Sequence, residues 1–254
     1  MLPTFPFAGR SYAYDPAQPL DISLPLAPGP DHVNCFWAEP VQVDTIRVGD
    51  FVGSVALGGA TNYQRVHLTP HGNGTHTECY GHISPDPAAT LNQCLRRFLC
   101  VARLVSVAPR PQPNGDAVVL LADVQAALAQ QPNRAIADAL VLRTLPNGPA
   151  KRHRHYSGTN PPYLEPALAH WLAEHDVQHL LLDLPSVDRE ADGGQLLAHH
   201  AFWRYPSRPR CGATITELIF VPDDVPDGLY LLQHQITSLE LDASPSKPVL
   251  YKLQ

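Results

Sequence analysis

Short apolar segments of strand length recur along the whole chain, and most of them are bounded by Pro, Gly, Asn or Asp. Two other segments, residues 121–131 and 161–176, have helical periodicity, and the second leads directly into an apolar segment. A helix followed by a strand is typical of α/β proteins. The pattern therefore predicts an α/β fold with a strand-rich core. The strand-length segments are residues 41–48, 51–57, 101–108, 139–144, 179–184, 214–221, 228–236 and 248–253.

The length of 254 residues suits one large domain as readily as two small ones. The 27 prolines are dispersed between apolar segments and do not concentrate into a linker. We therefore expect a single domain over residues 1–254.

Charge and cysteine usage exclude several classes of protein. The net charge is −6 and the basic residues are scattered, so no basic stripe is available for nucleic acid. No segment is apolar enough to span a bilayer, and the N-terminus does not have the pattern of a signal peptide. The five cysteines contain no C-x-x-C and suggest no disulfide framework. We expect a cytoplasmic protein with no nucleic-acid or membrane partner, in which Cys79 is a small packed thiol.

Residues 68–84, LTPHGNGTHTECYGHIS, contain three histidines and one glutamate. In an extended backbone, His76, Glu78 and His82 would point to the same side. Burying a carboxylate with two imidazoles is costly unless a cation pairs with them, so the stretch predicts a divalent metal site. The alternative is a solvated, His-rich loop. The zincin motif H-E-x-x-H is absent, and the downstream cysteines of the zinc deaminases are missing.

Two further candidate ligands lie far along the chain. Glu217 lies among branched apolar residues in the predicted strand 214–221, where a carboxylate needs a cation. His199 and His200 lie between apolar neighbours, so at most one of them faces inward. Each histidine alone is more often a hydrogen-bonded core or surface residue. Metal sites, however, usually take ligands from separated strands and loops.

The order of several segments resembles the cyclase family of metal-dependent hydrolases, which includes bacterial kynurenine formamidases and isatin hydrolases. The resemblance extends from about residue 20 to the end. It implies a swivelling β/β/α domain with a mixed, barrel-like central β-sheet flanked by helices, a homodimer, and a zinc or manganese site. The segments that carry it are residues 20–29 with Trp37 after them, 74–82, 164–188, 197–201, 214–232 and 242–251.

The resemblance also implies roles for individual residues. In the family motif H-x-G-T-H-x-D-x-P-x-H, the second His and the Asp are ligands and the last His is catalytic. These positions fall on His76, Glu78 and His82. The later His and Glu ligands of the family fall on His199 and Glu217.

The chain departs from this motif at three positions. The first histidine of the motif falls on Gly72, between His71 and Asn73, and a local bulge would bring His71 into its place. Glu78 replaces Asp, and Tyr80 replaces Pro. The expected metal ligands are His71, His76, Glu78, His199 and Glu217.

The resemblance and the ligand types together predict a hydrolase. A metal-activated water would cleave an amide, formamide or lactam C–N bond of a small-molecule substrate, with His82 as general acid and base. His82 has an alternative role, which is to orient a ligand. The rival hypothesis is a non-catalytic ligand-binding or interaction module, in which Gly72 marks the loss of a ligand. Imidazole and carboxylate ligands suit zinc and manganese alike, so the metal, the number of ions and the substrate stay open.

Overall fold

The computed structural model describes residues 2–132 and 135–254. The helices are α1 (Pro70–Asn73), α2 (Leu91–Cys94), α3 (Leu121–Ala129), α4 (Pro166–Glu174) and α5 (Leu197–Trp203). Single 3₁₀ turns span Val55–Leu57, Tyr80–Ile83 and Pro149–His153. The strands are β1 (Thr4–Phe7), β2 (Arg10–Ala13), β3 (Leu20–Asp21), β4 (Gln42–Thr45), β5 (Arg47–Val48), β6 (Phe51–Val52), β7 (Gln64–His67), β8 (His76–Glu78), β9 (Leu99–Val107), β10 (Arg110–Pro111), β11 (Ala117–Val119), β12 (Ala139–Thr144), β13 (Tyr163–Leu164), β14 (His179–Leu182), β15 (Thr214–Glu217), β16 (Gly228–Ile236) and β17 (Ala243–Lys252).

The central sheet closes on itself. Its strands run in the order β16-β9-β12-β14-β15-β8-β17, and β17 pairs back with β16, so these seven strands form a barrel. β3 pairs with Val249 and Leu250, near the C-terminal end of β17. Strands β9, β12, β14 and β15 are parallel, whereas β8, β16 and β17 join them through antiparallel pairs. The prediction of a mixed, barrel-like sheet flanked by helices is confirmed.

The sequence of the parallel strands explains their position in the middle of the sheet. All residues of β12 and β14 are buried, as expected for strands covered on both faces. Alternation along β14 points Leu181 into the barrel and Leu180 outward. The outer core lies between the barrel wall and α3 to α5, and its largest side chains are Phe202 and Trp203.

Helix α4 is shorter than the predicted helix at 161–176. It begins with Pro166 in the first turn, where a missing backbone N–H costs nothing, and it ends at Glu174. Pro161, Pro162 and the short strand β13 precede it. The predicted helix at 121–131 corresponds to α3.

Residues 41–67 form an arm that we call the β-arm. In the described part of the chain, β4 pairs with β7 and β5 pairs with β6, and none of the four pairs with the barrel. The predicted strand at 51–57 is wrong beyond Val52, because the chain continues into the 3₁₀ turn Val55–Leu57.

Among residues 2–132 and 135–254, no helix combines the length and the apolar composition that a membrane crossing requires.

Candidate metal centre

The candidate ligands meet where β8 pairs with β15. His76 lies directly opposite Glu217, and Glu78 lies opposite Ile215. Residues opposite each other in an antiparallel pair project to the same face of the sheet. This face is the outer wall of the barrel under α5, because Ile215 packs there against Phe202 of that helix. His76, Glu78 and Glu217 are all buried in it.

The proton on His76 is fixed by its surroundings. Nδ1 of His76 lies 2.9 Å from the carbonyl oxygen of Gly74, which can only accept, so Nδ1 carries the hydrogen. In the neutral ring Nε2 then carries the lone pair, and it lies 3.3 Å from Oε2 of Glu217. Among the described residues, Nε2 has no hydrogen-bond partner. A lone pair facing a buried carboxylate is repulsive unless a cation lies between them.

Glu78 occupies the centre of the cluster. Its Oε1 lies 3.2 Å from Nε2 of His199, and its Oε2 lies 3.2 Å from Nδ1 of His71 and 3.7 Å from Nδ1 of His82. Burial alone would raise the pKa of Glu78. The charge of His82 and the hydrogen bonds from His199 and His71 reverse this and hold the pKa well below its usual range.

His199 reaches the site from α5, and Asp188 sets its orientation. Oδ2 of Asp188 lies 2.7 Å from Nδ1 of His199, and the same carboxylate accepts the backbone N–H groups of Ala198 and His199. Nε2 is therefore the nitrogen that faces the site. Burial lowers the pKa of His199, but the hydrogen bonds to Asp188 and Glu78 outweigh burial and raise it to about 10. His200 lies on the other side of the helix, with Nδ1 near the carbonyl oxygen of Tyr205.

His71 enters the same cluster through α1. The expected bulge is wrong, because a single helical turn carries the side chain toward Glu78. Nε2 of His71 lies 2.8 Å from Oδ2 of Asp242. Burial lowers the pKa of His71, but the hydrogen bonds to Asp242 and Glu78 raise it to about 10.

The neighbours of His71 do not offer ligand atoms. A Cβ on Gly72 would lie 2.2 Å from Cβ of Ala38, so no side chain fits at this position. Asn73 is engaged elsewhere, since its Oδ1 accepts the N–H of Thr69 and its Nδ2 donates to the carbonyl of Glu39.

His82 reaches the cluster by a route that the sequence pattern did not predict. β8 ends at Glu78, so strand alternation does not place His82, and the 3₁₀ turn Tyr80–Ile83 does so instead. Nδ1 of His82 lies 3.2 Å from Oδ2 of Asp242. About a third of the side chain is exposed, at 30%. His82, like His71 and Asp242, therefore lies on the accessible edge of the cluster.

Two acidic residues of the site were missed by sequence reasoning. Asp242 binds both His71 and His82, and these hydrogen bonds hold the pKa of Asp242 well below its usual range. Asp188 holds His199. Both residues lie in turn-rich segments, where an aspartate signals a turn first. The only signal for them is their place in the family-like segments 164–188 and 242–251.

The donor set fits a divalent cation. Within the described residues, no Lys or Arg forms an ion pair with the carboxylates of Glu78, Glu217, Asp188 or Asp242, and the ionisable groups within ion-pair distance of them are histidines. The negative charge must therefore be balanced by protons on imidazoles or by a metal. Imidazole nitrogens and carboxylate oxygens are ligands that zinc and manganese accept. Three groups offer ligand atoms within 4.8 Å of one another: His71, His76 and Glu78; Glu78, His82 and His199; and His71, His82 and Asp242.

Comparisons with known proteins agree with the fold. The sequence profile of a family described as putative cyclase matches residues 16–189. The kynurenine formamidase of Bacillus cytotoxicus is 26% identical over 196 residues, which cover 77% of this chain and 82% of the relative.

Two solved structures have a similar fold. Isatin hydrolase A from Ralstonia solanacearum superposes with a TM-score of 0.68 at 12% identity, covering 92% of this chain and 91% of its own. A predicted metal-dependent hydrolase from Bacillus stearothermophilus superposes with a TM-score of 0.61 at 16% identity, covering 92% of this chain and 98% of its own.

Proposed function

This chain belongs to the putative cyclase family, and from that membership we propose that it is a metal-dependent hydrolase of small molecules. The observation that carries the proposal is the contact between His76 and Glu217. Nε2 of His76 and Oε2 of Glu217 lie 3.3 Å apart in a buried site, and Nε2 has no hydrogen-bond partner among the described residues. A divalent cation is the ligand that this arrangement accepts.

The proposed ligands are the buried imidazole and carboxylate groups around this contact. His199 suits the role because Asp188 orients it, which is a usual arrangement for a ligating histidine. His71 replaces the missing histidine at Gly72, and its position beside Glu78 supports this. The full set is His71, His76, Glu78, His199 and Glu217.

A bound divalent ion supplies a Lewis acid that polarises a carbonyl and lowers the pKa of water toward neutrality. His82 is the proposed general acid and base. Asp242 holds its Nδ1, which leaves Nε2 as the nitrogen for proton exchange with a substrate. The partial exposure of His82 allows a leaving nitrogen to approach it and take the proton.

The proposed substrates contain an amide, formamide or lactam C–N bond. The relative from Bacillus cytotoxicus is named a kynurenine formamidase, and the neighbour from Ralstonia solanacearum is named an isatin hydrolase. Both names describe cleavage of a carbonyl–nitrogen bond, which supports this class for the present chain.

The test is turnover of N-formylkynurenine, isatin and simple lactones by the chain loaded with zinc or manganese. We expect hydrolysis of at least one substrate, and we expect His82→Ala to lower kcat by about 10²-fold or more while it retains the ion. His200→Ala is the matched control, because His200 lies on the same helix as His199 but outside the cluster. Loss of the ion in His82→Ala would instead make His82 a ligand.

The rival function is a non-catalytic ligand-binding module, for which the only supporting observation is Gly72 at the place of the first motif histidine. The rival predicts that the wild-type chain binds small molecules but hydrolyses none of the three substrate classes in either metal form. Such a result would contradict the hydrolase proposal.

We also propose that the chain is a homodimer assembled through the β-arm. An isolated hairpin arm is marginally stable, and apolar side chains exposed along it favour burial against a second copy. The exposed apolar residues of the arm are Val48, Phe51, Val55, Leu57, Tyr63 and Val66.

The remaining proposals concern the whole chain. Residues 1–254 form a single domain, which the closure of one barrel supports. The protein works in the cytoplasm, which its five free cysteines support, because thiols stay reduced there.

A further inference from the structure

Two cysteines lie side by side next to the candidate metal centre. Cys79 follows Glu78 at the end of β8, and Cys94 is the last residue of α2. They pack together with Leu91 and Leu95 in a small apolar cluster. The Cys79 thiol donates to the carbonyl of Ala89 at 3.4 Å. Both cysteines are free, so two unbonded thiols share this small cluster.

Only one of the two thiols can be reached from solvent. Cys79 is fully buried, whereas Cys94 lines an open cavity of about 870 Å³. Arg96 and Arg97 line the same cavity together with Asp138 and Asp176, and Arg97 is paired with Asp138. Cys211 also lines it. A reagent that enters the cavity therefore meets Cys94 before it can meet Cys79.

The cysteine pair is connected to the metal centre through the backbone. The N–H of Cys79 donates to the carbonyl of Asp242 at 3.0 Å, and the N–H of Leu91 donates to the carbonyl of Leu241 at 2.7 Å. Asp242 is the residue that binds His71 and His82. The residue after β8 and the first residue of α2 therefore both donate to the backbone of residues 241–242.

We infer that Cys79 and Cys94 form a thiol modification site that a low-molecular-weight disulfide of the glutathione type oxidises to an intramolecular disulfide. The thiolate of Cys94 attacks one sulfur of the small disulfide, which forms a mixed disulfide and releases one thiolate. Cys79 then loses its proton and attacks the Cys94 sulfur, which releases the second thiolate. Two protein thiols are oxidised and one small disulfide is reduced to two thiols. A carboxylate of a glutathione-type reagent suits Arg96, which forms no ion pair among the described residues and whose Nη2 donates to Gln93.

The new bond changes the geometry around Asp242. A disulfide needs its two Cβ atoms about 3.8 Å apart with a defined torsion, so α2 and the end of β8 must adjust to it. Glu78 precedes Cys79 in the chain, and the carbonyl of Asp242 accepts the N–H of Cys79. Both residues therefore shift when the disulfide forms. This consequence for metal binding rests on the proposed function, whereas formation of the disulfide does not.

The test is peptide mapping of the complete, metal-free chain after incubation with oxidised glutathione and alkylation of the remaining thiols. Tryptic cleavage at Arg65 and Arg96 leaves both cysteines on one peptide, which should lose two hydrogens and resist alkylation. Cleavage at Asp86, between the two cysteines, should then leave the fragments joined. Cys94→Ser should abolish this product, and Cys211→Ser is the matched control that should retain it.

Three results would overturn the proposal: no oxidation of Cys94, a mixed disulfide with glutathione that persists on Cys94, or a bond from Cys94 to Cys211.

A second measurement tests the consequence of the disulfide for metal binding, and it uses Mn²⁺ because this ion has little affinity for thiolates. Oxidised chain should bind Mn²⁺ at least about 10-fold more weakly than reduced chain, a change typical of losing support for a ligand. Equal affinity would overturn the coupling, and failure of the reduced chain to bind Mn²⁺ would count against the proposed metal centre instead.

Discussion

Asp188 determines which nitrogen of His199 faces the proposed metal centre. Its carboxylate accepts from Nδ1 and from two backbone N–H groups at the start of α5. Asp188→Asn removes the charge that makes Nε2 of His199 a strong metal ligand. We expect the affinity for zinc or manganese to fall by about 10- to 100-fold, measured by titration calorimetry. Asp123→Asn, which breaks a surface ion pair with Arg110, should leave the affinity unchanged. Equal affinities in both variants would contradict the role of Asp188.

His234 should make the stability of the protein depend on pH. It lies inside the barrel, where Nε2 is 2.8 Å from Oγ1 of Thr77 and 3.1 Å from Oγ1 of Thr216. Burial, and secondarily His179, lower the pKa of His234 to about 3. The unfolded chain takes up this proton near pH 6.5 and the folded chain does not. The contribution of neutral His234 to the free energy of unfolding is therefore complete above pH 6.5, and it is lost as the pH falls from about 6.5 toward 3.

Replacing this histidine should reduce the acid sensitivity. Between about pH 6 and pH 4.5, we expect His234→Gln to lose less free energy of unfolding per pH unit than wild type, by up to about 1.4 kcal/mol per unit. Urea unfolding at a series of pH values measures this difference. If the two proteins had parallel pH profiles, His234 would not be buried in its neutral form.

Single residues of the site were predictable where they interrupt an apolar pattern. Glu217 and the His76–Glu78 pair stand out because charged groups in apolar or alternating segments need partners. Asp188 and Asp242 could not be predicted in the same way, because an aspartate in a turn has a sufficient local reason to be there. Their partners His199 and His71 lie 11 and 171 positions away in the chain.

Helix α1 depends on Gly72 being a glycine. Its backbone packs against Ala38, and an added Cβ would lie 2.2 Å from the Cβ of that residue. We expect Gly72→Ala to lower the free energy of unfolding by about 1–3 kcal/mol, as overpacking of a buried site usually does. The variant should also bind metal more weakly, because His71 is on the same turn. Urea unfolding and metal titration measure the two effects.

Two controls distinguish this contact from a general cost of removing glycine. Gly148→Ala should be neutral to within about 0.5 kcal/mol, since nothing lies within 4 Å of its added Cβ. Adding Ala38→Gly to Gly72→Ala should recover part of the lost stability. A double variant no more stable than Gly72→Ala would show that the contact with Ala38 is not the cause.

Secondary-structure elements were predictable where their environment is uniform along their length. β12 has the predicted bounds, because an apolar segment stays extended when both faces are covered, and β16 has its predicted bounds as well. The predicted strand at 214–221 is wrong after Glu217, because Leu218 has φ +56° and the chain turns. No composition signal marks this turn. It also means that Glu217 is the last residue of its strand, where the chain can open around a ligand.

The proposed homodimer forms through the β-arm. We expect wild type to sediment as a dimer and the double variant Val48→Glu/Val66→Glu to sediment as a monomer, because both changed side chains are exposed on the arm. Phe98→Glu is the control, since Phe98 is exposed to a similar degree but lies outside the arm. A wild-type monomer, or a dimer that survives the double variant, would contradict assembly through this surface.

The fold and the metal centre are connected through the closure of the barrel. β8 and β15 are distant in sequence, and their pairing brings His76 opposite Glu217. The sequence predicted the class of fold and most of the strands, but periodicity could not reveal which strands pair, because pairing depends on contacts across the whole barrel. The family resemblance placed His76 and Glu217 in one ligand set but did not identify the strand pairs.

Metal content after purification without chelator tests the central claim most directly. Wild type should contain about one divalent ion or more per chain, and Glu217→Gln should be depleted of it. The substitution is suited to the test because the glutamine amide can donate to Nε2 of His76 and so keep the site folded without a cation. His200→Ala should retain the ion. A wild type without zinc or manganese even after incubation with either salt, or a Glu217→Gln variant that holds as much ion as wild type, would contradict the account.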